Sequence, residues 1–204
     1  MIVAKDGSGD FRTIQAAVNS LPKDSSDPVH IFVKAGVYKE KVVIDRSNLT
    51  LEGTARDKVK ITYDDYALMK DENGRPIGTF ATATALFIGN DFTAKNIIFE
   101  NSAGSGSIVG QAVAAYVDAD QMTFENCSFL GQQDTLFLAP LPPKPLKGES
   151  FGGPRDGLEG KVRRSIFTTV TLRVMSISFS VREPLCLRNV ILLALTGMQI
   201  QMAT

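Results

Sequence analysis

Two stretches of this chain repeat one another: "FTAKNIIFENSAG" from Phe92 and "MTFENCSFLGQQD" from Met122 carry Thr93/Thr123, Asn96/Asn126 and Phe99/Phe129 in register. An offset of 30 residues is the length of one solenoid coil. Around the pair lie other short β-like runs, "HIFVKAGVY", "KVVI", "LTLEG", "VKITYD" and "ALFIG", each bounded by Gly, Asn or Asp. Short strands in succession make a sandwich or a parallel β-helix. Side chains recurring once per coil favour the β-helix, because there they stack into ladders. The expected fold class is therefore all-β, a parallel β-helix. One segment is helical instead: in "GDFRTIQAAVNSLP", Thr13 can cap, Ile14, Ala17, Val18 and Leu21 recur at helical spacing, and Pro22 stops the run. Such a short amphipathic helix is expected to close one open end of the solenoid.

Charge and cysteine usage exclude several functions. The 22 basic and 22 acidic residues cancel, which removes the electrostatic case for a nucleic-acid partner or an anionic membrane. Cys127 and Cys186 are too few for a disulfide framework and match no zinc spacing, so both are expected as free thiols. The single histidine, His30, sits between Val29 and Ile31, where a structural role is expected and a Ser-His-Asp site is not. The N-terminus shows no basic region, apolar stretch or cleavage site of a secretory leader. The apolar run "VILLALTGM" is too short to cross a bilayer.

Chemistry concentrates in "GQQDTLF" (131–137) and, one coil earlier, "GQAVAAYV" (110–117). Positions one coil apart lie side by side in a β-helix, so Gln111, Gln133 and Asp134 are expected to converge. Two amides beside a carboxylate can stabilise an oxyanion and move a proton. Taken alone, the same residues also fit an ordinary polar surface. The Pro/Gly-rich segment 139–160 reads as a long surface loop, either bordering a binding site or a tolerated insertion.

Read together, "DGSGDFRTIQAAVNSLP", "GVYKEKV", "GTFATATALFIGNDFTAKNIIFENSAG", "GQAVA" and "GQQDTLF" resemble, in order and spacing, the pectin methylesterase (pectinesterase) family over roughly residues 3–164. The resemblance implies a right-handed parallel β-helix that hydrolyses the methyl esters of polygalacturonate, with pectin as partner and neither metal nor cofactor. It implies Asp134 as general acid/base, Gln133 as oxyanion stabiliser, and Gln111 and Thr79 as substrate contacts. Tyr116 and Phe137 are candidates for stacking on sugar rings, although aromatic residues in such strands more often serve in packing alone. Members of the family are mostly secreted. They also need a nucleophilic Asp within D-F-I-F-G and an Arg within a later G-R-P-W, and this chain contains neither motif. Two rivals follow from the same architecture. One is a non-catalytic, pectin-binding β-helix; the other, a polygalacturonate lyase, would want a calcium site of clustered carboxylates, which the sequence does not suggest.

The last forty residues differ from the rest: from Ser165 to Thr204 there is no Asp, Lys or Tyr. Read from one base earlier with suitable synonymous codons, Arg173 to Asn189 encodes E-G-D-V-D-F-I-F-G-S-G-T-A-V-F-E-E, which contains the missing nucleophile motif. "IFTTVTL" can likewise hide Y-F-H-D-C-Y-L. The expectation is an authentic but incomplete β-helix over 1–164 and an out-of-frame tail over 165–204. Such a chain would be monomeric if folded, inactive or nearly so for want of the nucleophile and its Arg partner, and prone to aggregate through an open strand edge and an uncovered apolar interior.

Overall fold

The computed structural model describes residues 1–22, 25–141, 153–155, 163–180, 185–188 and 191–203, with side chains as far as Leu172. In chain order the elements are β1 (Ile2–Val3), α1 (Ile14–Asn19), β2 (Val29–Val33), β3 (Gly36–Lys39), β4 (Val42–Ile44), β5 (Leu49–Gly53) and β6 (Val59–Tyr63). A 3-10 turn (Thr79–Ala81), β7 (Ala85–Phe87), β8 (Phe92–Lys95), β9 (Ile98–Asn101), α2 (Gly106–Val109) and β10 (Ala115–Val117) follow. The remaining strands are β11 (Met122–Glu125), β12 (Ser128–Leu130), β13 (Leu136–Leu138), β14 (Ser165–Thr168), β15 (Thr171–Ser180), β16 (Leu185–Arg188) and β17 (Ile191–Ala203).

Strands one coil apart pair in parallel, forming three ladders. One runs β1-β2-β5-β8-β11-β14-β16, a second β3-β6-β9-β12-β15, and a third β4-β7-β10-β13-β15. The long β15 pairs with β12 at one end and β13 at the other, which joins the second and third ladders into one sheet. This is the expected parallel β-helix. Strand alternation decides what faces inward. In β8 and β11, Phe92, Ala94, Met122 and Phe124 are buried, while Thr93, Lys95, Thr123 and Glu125 stay on the outer side. Inward rings stack between coils: Phe99 lies 5.4 Å from Phe129 at 17°, and Phe124 lies 4.9 Å from Phe167 at 14°. The same alternation explains His30. Ile31 and Val33 point into the core, so His30 is exposed on the outside, its Nε2 2.9 Å from Glu52.

Helix α1 closes one end. Thr13 Oγ1 accepts from the Ala16 amide at 3.2 Å, and the Glu40 carboxylate accepts from the Ile14 and Gln15 amides, both at 2.9 Å. These acceptors satisfy amide donors that a helix start leaves open. Ile14, Ala17 and Val18 are buried in the common core, and Leu21 packs against it. The free Cys127 is also buried there, and burial pushes its thiol up to about 12, so it is an inert packing group. Cys186 lies in β16, whose side chains fall outside the described residues.

Each repeating run is broken in its middle by an asparagine. Asn96 (φ 58°) separates β8 from β9, and Asn126 (φ 55°) separates β11 from β12. Left-handed backbone suits Asn, whose short side chain can bond locally. Asn126 Nδ2 donates to Asn96 Oδ1 at 2.6 Å, and Asn96 Nδ2 donates to Gly53 O at 3.3 Å. Gly53 has no alternative: a Cβ there would stand 2.5 Å from Asn96 O.

The first ladder continues from β11 into β14 in register, Met122 opposite Ser165 and Glu125 opposite Thr168, with Phe167, Val170 and Leu172 buried. The turn on this coil is made by Thr169 at φ 55°. A β-branched residue is an outlier in that conformation, so the coil carries strain where its predecessors carry Asn. Thr169→Asn is expected to raise the unfolding free energy by about 1 kcal/mol, read from the denaturant midpoint at unchanged slope.

Candidate active site

The polar residues singled out by the sequence meet along one backbone ladder. The Ala112 amide donates to Gln133 O at 3.0 Å, the Ala67 amide to Gln111 O at 2.9 Å, and the Gly78 amide to Ala67 O at 3.2 Å. These bonds place Gln111 beside Gln133 and Asp134, with the segment ending in Thr79 on the far side of Ala67. All four side chains are half-buried at the edge of the coil. Asp134 itself is held at φ 56°, so the chain turns sharply between Gln133 and β13.

Helix α2 forms one wall. Its first residue, Gly106, packs on Gln133: a Cβ at Gly106 would lie 2.7 Å from Gln133 Oε1 and 2.9 Å from its Cβ. The second contact cannot be relieved by rotating the amide alone. Gly106→Ala is therefore expected to displace Gln133 and to destabilise the fold by about 1–3 kcal/mol. A lowered denaturant midpoint at unchanged slope, beside the unaltered chain, checks this.

Tyr116 and Phe137 do not serve as open stacking surfaces. Alternation does turn them outward, opposite one another on β10 and β13, but a second apolar layer covers them. Tyr116 is 0% and Phe137 6% exposed. Phe80 lies over both, with ring centroids at 5.9 Å from Tyr116 and 4.8 Å from Phe137, and Tyr116 meets Phe137 edge-on at 4.9 Å. Ala83, Leu86, Val113 and Ala139 complete this outer cluster, with Leu141 against it. Half-buried Phe80 is the ring of the three with a surface to offer, and no periodic signal in the sequence marks it.

The segment expected as a surface loop, 139–160, lies mostly outside the described residues, but what is described is pinned to the coil. Gly153 approaches Phe80 so closely that a Cβ would stand 2.8 Å from the Phe80 carbonyl carbon. Arg155 pairs with Asp118, which is 5% exposed, and Arg163 Nη2 lies 2.7 Å from the other oxygen of that carboxylate. Arg164 Nε and Nη2 grip Asp120 at 2.9 and 2.5 Å. That guanidinium, acting first through its side-chain hydrogen bonds and against partial burial, holds the Asp120 carboxyl down at about 2. A depressed carboxylate contributes stability above its unfolded value near 3.8 and loses it as pH falls toward 2. Melting of the unaltered chain is accordingly expected to fall more steeply between pH 4 and pH 2 than that of Asp120→Asn, by on the order of 1 kcal/mol after solvent screening.

Residues 1–140 match the family model described as Pectinesterase. The chain belongs to the pectinesterase family. Within it, the chain is 43% identical over 141 residues to the probable pectinesterase/pectinesterase inhibitor 58 of Arabidopsis thaliana, covering 68% of this chain and 23% of that one. It is 44% identical over 138 residues to a pectinesterase of Petunia integrifolia, covering 67% and 35%. Among solved structures it resembles pectin methylesterase PemA from Erwinia chrysanthemi, with a TM-score of 0.76 at 26% identity over 97% of this chain and 56% of that one. Carrot pectin methylesterase gives 0.66 at 28% identity over 88% and 50%. The pectinesterase chain described here thus spans about a quarter to a third of these curated relatives and about half of these solved structures. The family match ends at residue 140, short of the 164 expected, where the Pro/Gly-rich segment begins. The fold is the right-handed parallel β-helix of the pectin methylesterases.

Proposed function

We propose that the edge bearing Thr79, Gln111, Gln133 and Asp134 binds methyl-esterified polygalacturonate and is one half of an ester-hydrolysing site, the other half lying in the unread frame of residues 165–204. Family membership supports the substrate class, as does a related solved structure, 26% identical, described as a pectin methylesterase in complex with a hexasaccharide. In this reading a carboxylate attacks the ester carbonyl carbon to form an acyl-enzyme anhydride. Asp134 gives its proton to the departing methoxide, which leaves as methanol, and the amides of Gln133 and Gln111 receive the oxyanion. Asp134, now ionised, takes a proton from the water that cleaves the anhydride, restoring both carboxyl groups. The chain supplies the proton carrier and the amides, and its sequence holds no D-F-I-F-G nucleophile.

The observation that carries this reading is the register of β15. Phe137 lies opposite Ser178 and Leu138 opposite Phe179, so Ile177 falls opposite Leu136. In the shifted frame the nucleophilic Asp is encoded across the Ser176 and Ile177 codons. An Asp there stands one ladder spacing across and two residues along from Asp134, roughly 8 Å between Cα atoms, within reach for two carboxylates serving one ester. The strained Thr169 adds independent support: the shifted reading Y-F-H-D-C-Y-L puts Asp at that turn, a residue left-handed backbone accepts.

The purified 204-residue chain is expected to release no methanol from methylated pectin. Insertion of one base at codon 165, in a gene that also encodes the later G-R-P-W arginine, is expected to create the activity, and Asp134→Asn in the repaired chain to reduce it about 100-fold or more. Turnover by the unrepaired chain sinks the proposal, as does a gene whose codons forbid the shifted reading.

A further inference from the structure

Asn101 ends β9 with its side chain turned inward, two residues after core Phe99; it is 4% exposed. A buried amide is tolerated only when its hydrogen-bonding groups are met. Here the two Nδ2 hydrogens are shared among three carbonyls, of Asp65 at 2.9 Å, Val113 at 3.2 Å and Thr82 at 3.3 Å, and Oδ1 accepts from the Ala103 amide at 3.0 Å. The three carbonyls belong to three separate stretches of chain, each leading directly to the polar edge. Asp65 precedes Ala67, Thr82 follows Thr79, and Val113 follows Gln111. Thr82, 0% exposed, doubles the connection: its Oγ1 donates to Thr79 O at 2.6 Å and accepts from the Val113 amide at 3.0 Å.

We infer that Asn101 and Thr82 are positioning residues: a buried polar clip that sets the separation of Thr79 from Gln111 and, through the Ala112 amide on Gln133 O, the placement of Gln133. The bonds run from core to rim. The polar rim is made of backbone outside the strands, the stretches from Ala67 to Thr82 and from Gln111 to Val113, which the parallel ladders do not hold by themselves. Without the clip, the backbone hydrogen bonds that link the 3-10 turn to the Gln111 stretch among the described residues run through Ala67, Leu68, Thr84 and Ala85. The inference deepens the pectin-site reading and rests on it for the identity of the ligand, while the clip itself is a property of the free protein.

Thr82→Val removes the hydroxyl at nearly constant volume, and Thr82→Ser keeps it. In ligand-free protein, Thr82→Val is expected to speed hydrogen exchange about tenfold at the Ala112 and Ala67 amides, which bond to Gln133 and Gln111 and not to Thr82. It is also expected to weaken binding of a methyl-esterified oligogalacturonate about tenfold. Thr82→Ser is expected to restore both. Val33→Ala, a core variant in β2, is expected to lower the melting temperature and leave that affinity unchanged. Exchange altered at Val113 alone overturns the clip, and so does an equal loss of affinity in Val33→Ala. If the unaltered chain fails to bind the oligogalacturonate, the pectin reading falls, and the exchange at Ala112 and Ala67 still decides the clip.

Discussion

Asn126 donates its side-chain amide to Asn96 across 2.6 Å, from backbone held at φ 55° and 58°. Everything else in the coil depends on that turn repeating. It fixes where β8 gives way to β9 and β11 to β12, and so which residues of the next strands face inward. With the turn in place, Phe99 falls on Phe129 and Ser128 pairs with Ile98. A slip of one residue would turn every one of those side chains to the opposite face. The Asn bond therefore does more than satisfy polar groups: it converts a sequence repeat into a register.

The candidate site inherits its geometry from the register and then departs from the ladder. Gln111 and Gln133 are neighbours because successive coils return to the same height, but the residues themselves stand just outside β10 and β13, where the backbone leaves the sheet. At that boundary the parallel ladders stop holding the chain and side chains take over. Asn101 and Thr82 hold the rim from within, Gly106 gives Gln133 its room, and Asp118 pairs with both Arg155 and Arg163. A rigid scaffold thus ends in a polar edge whose placement rests on a handful of buried hydrogen bonds, the usual arrangement where function sits on loops borne by regular structure.

Most of the fold could be read from period and punctuation. The repeat at Thr93/Thr123, the capped helix after Thr13 and the runs bounded by Gly and Asn all reappear as ladders and a closing helix. Coil spacing also sets the stretch after Gln111 beside Gln133, through the Ala112 amide on Gln133 O. The strands of "AVAAYV" and "TLFL" gave no alternation to read, since β10 and β13 are buried on both faces. The clip at Asn101 lay in plain view within "FENSAG", yet nothing in that string says that its amide meets three separate stretches of chain.

The sequence by itself determined the coil length, the inward ladder of aromatic and aliphatic side chains, and the chemical character of the polar edge, because each follows from local periodicity. Only the tertiary structure decided whether an outward side chain remains outside. The ladder turns Tyr116 and Phe137 outward, but Phe80 and its neighbours cover them, and the covering layer comes from chain far away in sequence. The pairing of Asp118 with Arg155 across 37 residues is of the same kind. Alternation specifies a direction; whether another part of the chain occupies that space is a matter of packing, which no local pattern encodes.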